Sequence, residues 1–172
     1  VSVEGLSSLF QPLSEINVPV FAVLGNHDVE KPPDLREELV KALNLQGVIF
    51  LQNDIYQFGE IKLVLSHFAQ EDDITILNTL DPLEDIMVLT HNPDTINRYT
   101  KIVPDITLVH THCGQIRLPY IQDYIRPYTY PVADFDCGWY PELSLYISKG
   151  LGEVMLPLRF LNPPTVDVLR LR

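Results

Sequence analysis

The sequence predicts an α/β fold, a two-layer β-sandwich flanked by α-helices. Short apolar runs, several of them β-branched, recur along the chain and end on polar residues. Helix-period segments alternate with the early runs, whereas strand-like runs dominate later. That mixture suits two sheet layers covered by helices better than one purely parallel sheet.

Leu6, Leu9, Phe10 and Leu13 recur at helical spacing, so residues 4–15 read as one amphipathic helix. Val18 to Leu24 is short, apolar and partly β-branched, which predicts a buried strand. Pro32-Pro33-Asp34 opens a helix through Leu35, Leu39, Val40 and Leu43, with Asp34 as its cap and Gly47 as its end. Val48–Leu51, Ile55–Phe58 and Ile61–Ser66 are three short strands, and Gly59-Glu60 is a hairpin signal between the last two. Asp73 to Leu80 predicts a short helix and Ile86 to Leu89 a strand. Asn92-Pro93-Asp94 opens another helix, with Ile96 and Tyr99 on one face. Ile106 to Val109 is a strand ending at His110. Residues 118–140, rich in Pro and Tyr, read as a long loop with short strands; Leu143–Ile147 and Val166–Leu171 close the sheet.

At 172 residues the chain reads as one domain spanning residues 1–172, long enough to bury a proper core. Hydrophobic residues make up 46% and charged residues 20%, an ordinary globular balance. No apolar run approaches the roughly 18–20 residues that span a bilayer. No signal peptide is visible, but the chain opens at Val1-Ser2-Val3-Glu4 without Met, as if cut from something longer. The net charge of -11 disfavours loose binding to nucleic acid, which relies on Lys and Arg. It leaves room for a phosphorylated substrate where metal cations supply local positive charge. Cys113 and Cys137 make no disulfide framework and fit a reducing compartment better than an oxidising one.

The chemistry gathers at strand ends. Gly25-Asn26-His27-Asp28 follows the first apolar run, presenting an amide oxygen, an imidazole and a carboxylate together. All five histidines, His27, His67, His91, His110 and His112, lie at or just after an apolar run. If those strands share a direction, the imidazoles converge on one edge, where α/β proteins bind ligands. Neutral imidazole is the commonest metal-binding side chain, so the convergence suggests a metal centre. His110-Thr111-His112 puts two imidazoles on one side of an extended segment. Alone, such a pair equally describes a half-buried strand face; together with His91 and the Asn26-His27-Asp28 cluster it favours metal.

In this order, Gly25-Asn26-His27-Asp28, Thr90-His91-Asn92-Pro93 and His110-Thr111-His112 resemble the later motifs of the calcineurin-like metallophosphoesterases. The continuation Cys113-Gly114-Gln115-Ile116-Arg117-Leu118-Pro119 is similar to one subgroup of that family, as is the tail with Gly150-Leu151-Gly152, Leu156–Phe160 and Pro163-Pro164. The resemblance implies hydrolysis of a phosphate ester or pyrophosphate bond at a dinuclear centre of two divalent ions, Mn, Fe or Zn. It implies that Asn26, His91 and His110 ligate one ion and His112 the other. His27 would contact the substrate phosphate and assist the leaving group, and Asp28 would orient the His27 ring. The implied substrate is a small phosphate ester or a nucleotide-linked molecule. The implied location is cytoplasmic or peripheral to a membrane, with membrane association through an upstream segment.

The pattern is incomplete. The family's Asp-x-His and Gly-Asp motifs, whose carboxylates complete the second site and bridge the ions, occur nowhere in the expected order. The expectation is therefore the C-terminal portion of a calcineurin-like phosphoesterase domain whose first strands lie upstream. Alternatives are a catalytically incomplete fragment or degenerate homologue acting as a binding module, or a mononuclear zinc hydrolase built on His91, His110 and His112. Val109 and Cys113 stand where the family and its subgroup have Gly; Cys113 reads as a packed thiol more readily than as a ligand. His67 reads as a strand-end residue bonded to backbone, and Glu71, Asp72 and Asp73 as a helix start. Arg117 and Arg159 read as partners of carboxylates rather than of phosphate. The aromatic group of Tyr120, Tyr124, Tyr128, Tyr130 and Tyr140 reads as packing under a loop.

Overall fold

The computed structural model describes residues 3–65, 74–99, 101–110, 116–117, 135, 137–153 and 157–170. Among the described residues three α-helices, α1 (Val3–Phe10), α2 (Asn26–Val29) and α3 (Pro33–Leu45), accompany eight strands. The strands are β1 (Val20–Ala22), β2 (Val48–Phe50), β3 (Asp54–Phe58), β4 (Ile61–Leu65), β5 (Ile86–Leu89), β6 (Ile106–His110), β7 (Gly138–Tyr140) and β8 (Leu145–Ser148). The α/β class expected from the sequence is what the structure shows. β1 and β2 form a parallel pair, and the other six form a mixed sheet in the order β3-β4-β5-β6-β8-β7. The two sheets meet where the Phe21 and Tyr56 rings pack edge to face, 4.9 Å apart.

Within the large sheet β4, β5, β6 and β8 run parallel. Their carboxyl ends therefore share one edge, as the histidine pattern requires. Strand alternation sorts their side chains into two faces. Val64, Ile86 and Val88 face a core shared with Leu77, Leu80 and Ile102. Val109, Leu145 and Ile147 face a second core with Ile96, Phe135 and Tyr140. Leu89, Leu108, His110, Tyr146 and Ser148 line the cavity on the opposite side.

Several elements depart from the sequence expectation. The first helix stops at Phe10 and continues as a 3₁₀ turn over Gln11–Glu15, because Pro12 cannot donate to an α ladder. Pro32, not Asp34, precedes the first turn of α3; Asp34 lies within that turn, where its charge complements the helix dipole. The segments Ile74–Thr79 and Pro93–Arg98 are 3₁₀ turns rather than α-helices. The second starts on Asn92, whose side chain accepts from the Asp94 amide at 2.9 Å. Residues 166–170 do not form the expected closing strand. Both edges of β8 are already taken, by β6 and β7. Cys137 is disulfide-bonded, where the sequence reading favours a reducing compartment; the spacing of two cysteines does not reveal whether the fold brings thiols together. The Gly59 turn and the Gly47 helix end are as expected, both with positive φ. No helix among the described residues is long and apolar enough to cross a membrane.

Candidate metal centre

Gly25, with ordinary extended backbone, precedes α2, a single turn. The Gly25 amide donates to Asp28 Oδ2 at 2.9 Å, so the carboxylate three residues on satisfies an otherwise orphaned donor. The sequence reading has Asp28 orienting the His27 ring; the contact observed for its carboxylate is this one with the Gly25 amide. The His27 ring instead pairs through Nδ1 with Glu30 Oε2 at 3.4 Å, one helical turn along. His27 is exposed, with its side chain 54% accessible.

The turn carries Asn26 to the edge of the large sheet. Asn26 Oδ1 lies 3.0 Å from His91 Nε2, joining the end of β1 to the residue after β5. Buried Thr90 anchors that residue: its amide donates to the Leu108 carbonyl at 3.0 Å, and its hydroxyl meets Thr95 Oγ1 at 3.4 Å. The His110 ring, at the end of β6, lies 6.2 Å from that of His91 between centroids. Asn26, His27, Asp28, His91 and His110 all line one cavity of about 690 Å³. The structure thus brings together five of the six site residues the sequence singles out. His112 lies outside the described residues, as do His67, Cys113, Glu71 to Asp73 and all the aromatic group except Tyr140.

The donor chemistry suits a divalent ion. Two imidazoles and an amide oxygen are neutral nitrogen and oxygen ligands of the kind zinc, iron and manganese accept. Asn26 Oδ1 and His91 Nε2 share a hydrogen bond at 3.0 Å, a separation that two ligands at right angles on one ion, with bonds of about 2.1 Å, would also have. Among the described residues, however, no three His, Cys, Asp or Glu side chains stand close enough to hold an ion by themselves. A ligand set drawn from these residues therefore needs a further donor, such as the Asn26 amide oxygen.

The far wall of the cavity was not legible as part of a site. Tyr146, Ser148, Glu153, Thr165 and Asp167 line it. Ser148 Oγ donates to Asp167 Oδ2 at 2.6 Å. Burial, with Asp167 bonded beside it, raises the Tyr146 hydroxyl above its ordinary pKa. Among the described residues Arg159 meets backbone carbonyls rather than the expected carboxylate. It donates from Nη2 to the Lys149 carbonyl at 3.0 Å, from Nε to that of Gly152 at 3.1 Å and from Nη1 to that of Asn162 at 3.3 Å. The only sequence signals here were the Gly150-Leu151-Gly152 pattern and an Asp set among apolar residues at Val166-Asp167-Val168.

No family model and no solved structure matches the chain. Curated bacterial proteins do, and they include several uncharacterized metallophosphoesterases. YkuE of Bacillus subtilis is 31% identical over 93% of this chain and 59% of its own length. A protein of Aquifex aeolicus is 26% identical over 99% of the chain and 68% of its own length. A third, from Helicobacter pylori, is 29% identical over 99% of the chain and 48% of its own length. Over nearly all of its length the chain is similar to these proteins named as metallophosphoesterases. It spans about half to two thirds of the length of the relatives it matches.

Proposed function

We propose that the protein hydrolyses a phosphate ester or pyrophosphate bond in a small molecule, nucleotide-linked substrates included, and that residues 1–172 are the C-terminal portion of its phosphoesterase domain. The observation that carries this reading is the approach of Asn26 Oδ1 to His91 Nε2, with His110 beside them. The family supplies the rest: metallophosphoesterases are named for divalent metal, and the donors converging here suit one.

Bound divalent ions, Mn, Fe or Zn in a dinuclear centre, would supply Lewis-acid polarisation of phosphoryl oxygens and a water acidified to near neutral pH. Asn26, His91 and His110 would hold one ion, with His112 reserved for the other. His27 is exposed at the cavity mouth and keeps a carboxylate, Glu30, behind its Nδ1. A ring so paired presents its other nitrogen to the substrate, where it can stabilise charge on the phosphate and hand a proton to the leaving oxygen. Asp28 keeps the Gly25–Asn26 turn closed, so that the Asn26 amide stays on the His91 side. The cavity of about 690 Å³ exceeds what a phosphoryl group needs, leaving room for a leaving group along the Tyr146 wall.

The test is hydrolysis of an aryl phosphomonoester and an aryl phosphodiester by the protein with Mn²⁺. Activity is expected in the parent and lost in His27→Ala and His110→Ala, with two ions bound per chain by elemental analysis. One ion per chain with full activity would instead favour a mononuclear zinc-type site. Wild-type turnover that survives His110→Ala unchanged would sink the proposal.

A further inference from the structure

Taking His110 as a metal ligand, as above, we propose that Gly150 is the seat of its imidazole, a positioning residue fastened by Arg159 and the Asp167–Ser148 pair. Gly150 has φ +65°, a region that residues with a Cβ seldom enter. A Cβ built there would stand 2.7 Å from His110 Nδ1 and 3.2 Å from Nε2. The turn requirement explains the φ alone. It does not explain why the glycine's open side is filled by the edge of this particular ring.

The loop under the ring has little freedom to retreat. Ser148 pairs with His110 in the register of β6 and β8. The Gly150 amide donates to Ser148 Oγ at 3.1 Å, and that hydroxyl donates to Asp167. The Gly150 carbonyl accepts from the Thr165 amide at 3.0 Å. Arg159 grips the carbonyls on both sides of Gly150, those of Lys149 and Gly152. Bonds to charged groups are the stronger kind; here a guanidinium holds the carbonyls flanking Gly150, and a carboxylate holds the hydroxyl that accepts from its amide. A metal ligand functions only when its ring is held to fractions of an ångström by what surrounds it. Gly150 supplies that by contact, and Asp167 and Arg159 make the contact rigid.

The experiment compares wild type with Gly150→Ala, reading the His110 Cε1–H resonance in the metal-free protein and Mn²⁺ affinity by calorimetry. The substitution is expected to move the His110 resonance, leave that of His91 in place and lower Mn²⁺ affinity about 10–100-fold. An unmoved His110 resonance overturns the proposal. If wild type binds no Mn²⁺, the metal reading of the site falls, while the metal-free resonance still decides whether Gly150 seats the ring. Should Gly150→Ala fail to fold, Asp167→Ala is compared with Asp167→Asn, which keeps an acceptor for Ser148. Asp167→Ala is expected to shift the His110 resonance and Asp167→Asn to restore it; no shift in either overturns the fastening.

Discussion

His91 and His110 each rest on a glycine, yet the two seats are built differently. Beneath His91 lies Gly25, where a Cβ would come 3.0 to 3.3 Å from the ring atoms. Gly25 has ordinary backbone, and its contact crosses from the β1 end to the β5 end. Beneath His110 lies Gly150, with left-handed backbone, closer approach and a loop pinned on several sides. The first seat asks its neighbours to give by only a few tenths of an ångström. The second has nowhere to go. One kind of contact thus tolerates change on one side of the cavity and forbids it on the other.

Core truncations probe the footing of each side and should have the largest effect. Leu145 is fully buried on β8 beneath the Gly150 side, so Leu145→Ala should cost about 2–5 kcal/mol in urea unfolding. Val20 on β1 is only half-buried, and Val20→Ala should cost less than about 1.5 kcal/mol. Equal costs would erase the contrast between the two sides.

Removing the donors themselves comes next. Asn26→Ala and His110→Ala should each lower Mn²⁺ affinity by at least about 100-fold, beyond the usual reach of a supporting residue. Calorimetric titration checks this, and a smaller loss in Asn26→Ala would remove that residue from the ligand set.

The yielding seat should then show itself. Gly25→Ala is expected to lower Mn²⁺ affinity by about tenfold or less, the low end of supporting-residue effects. A loss as great as that of Gly150→Ala would mean that both seats are rigid.

The smallest effect concerns charge beside His91. Desolvation raises the Asp94 carboxyl above the usual range, with Arg98 only partly opposing it. A carboxyl whose folded pKa is raised favours the folded state when protonated. Its contribution is fully present below the unfolded pKa and is lost as pH rises through the raised folded value. Wild type should therefore lose stability relative to Asp94→Asn as pH climbs through that window, a small effect for a group so open to solvent screening. Parallel pH-stability curves for the two proteins would contradict the assignment.

Much of this was legible before any coordinates. Runs such as Ile86–Leu89 and Ile106–Val109 show as strands because branched apolar side chains at that length suit little else. Asn26, His91 and His110 show as candidates because each stands where such a run ends. The lengths of the 3₁₀ turns were not legible, since three-residue and four-residue periods look alike over so few residues. Nor was the partner of His27, because Asp28 and Glu30 are both near in sequence and only the α2 turn separates them.

By itself, then, the sequence determined most of the strands, though not that residues 166–170 stay outside the sheet, as well as where polar donors end them and which family the motifs resemble. These are local matters, written in the alternation and spacing of neighbouring residues. Only the tertiary structure decided that β4, β5, β6 and β8 run parallel, so that the donors share an edge. It alone brought Gly150 beneath His110, forty residues away, and set Asp167 and Arg159 to hold it there. A glycine in a sequence reports freedom; what that freedom makes room for is fixed by whichever side chain the fold lays against it.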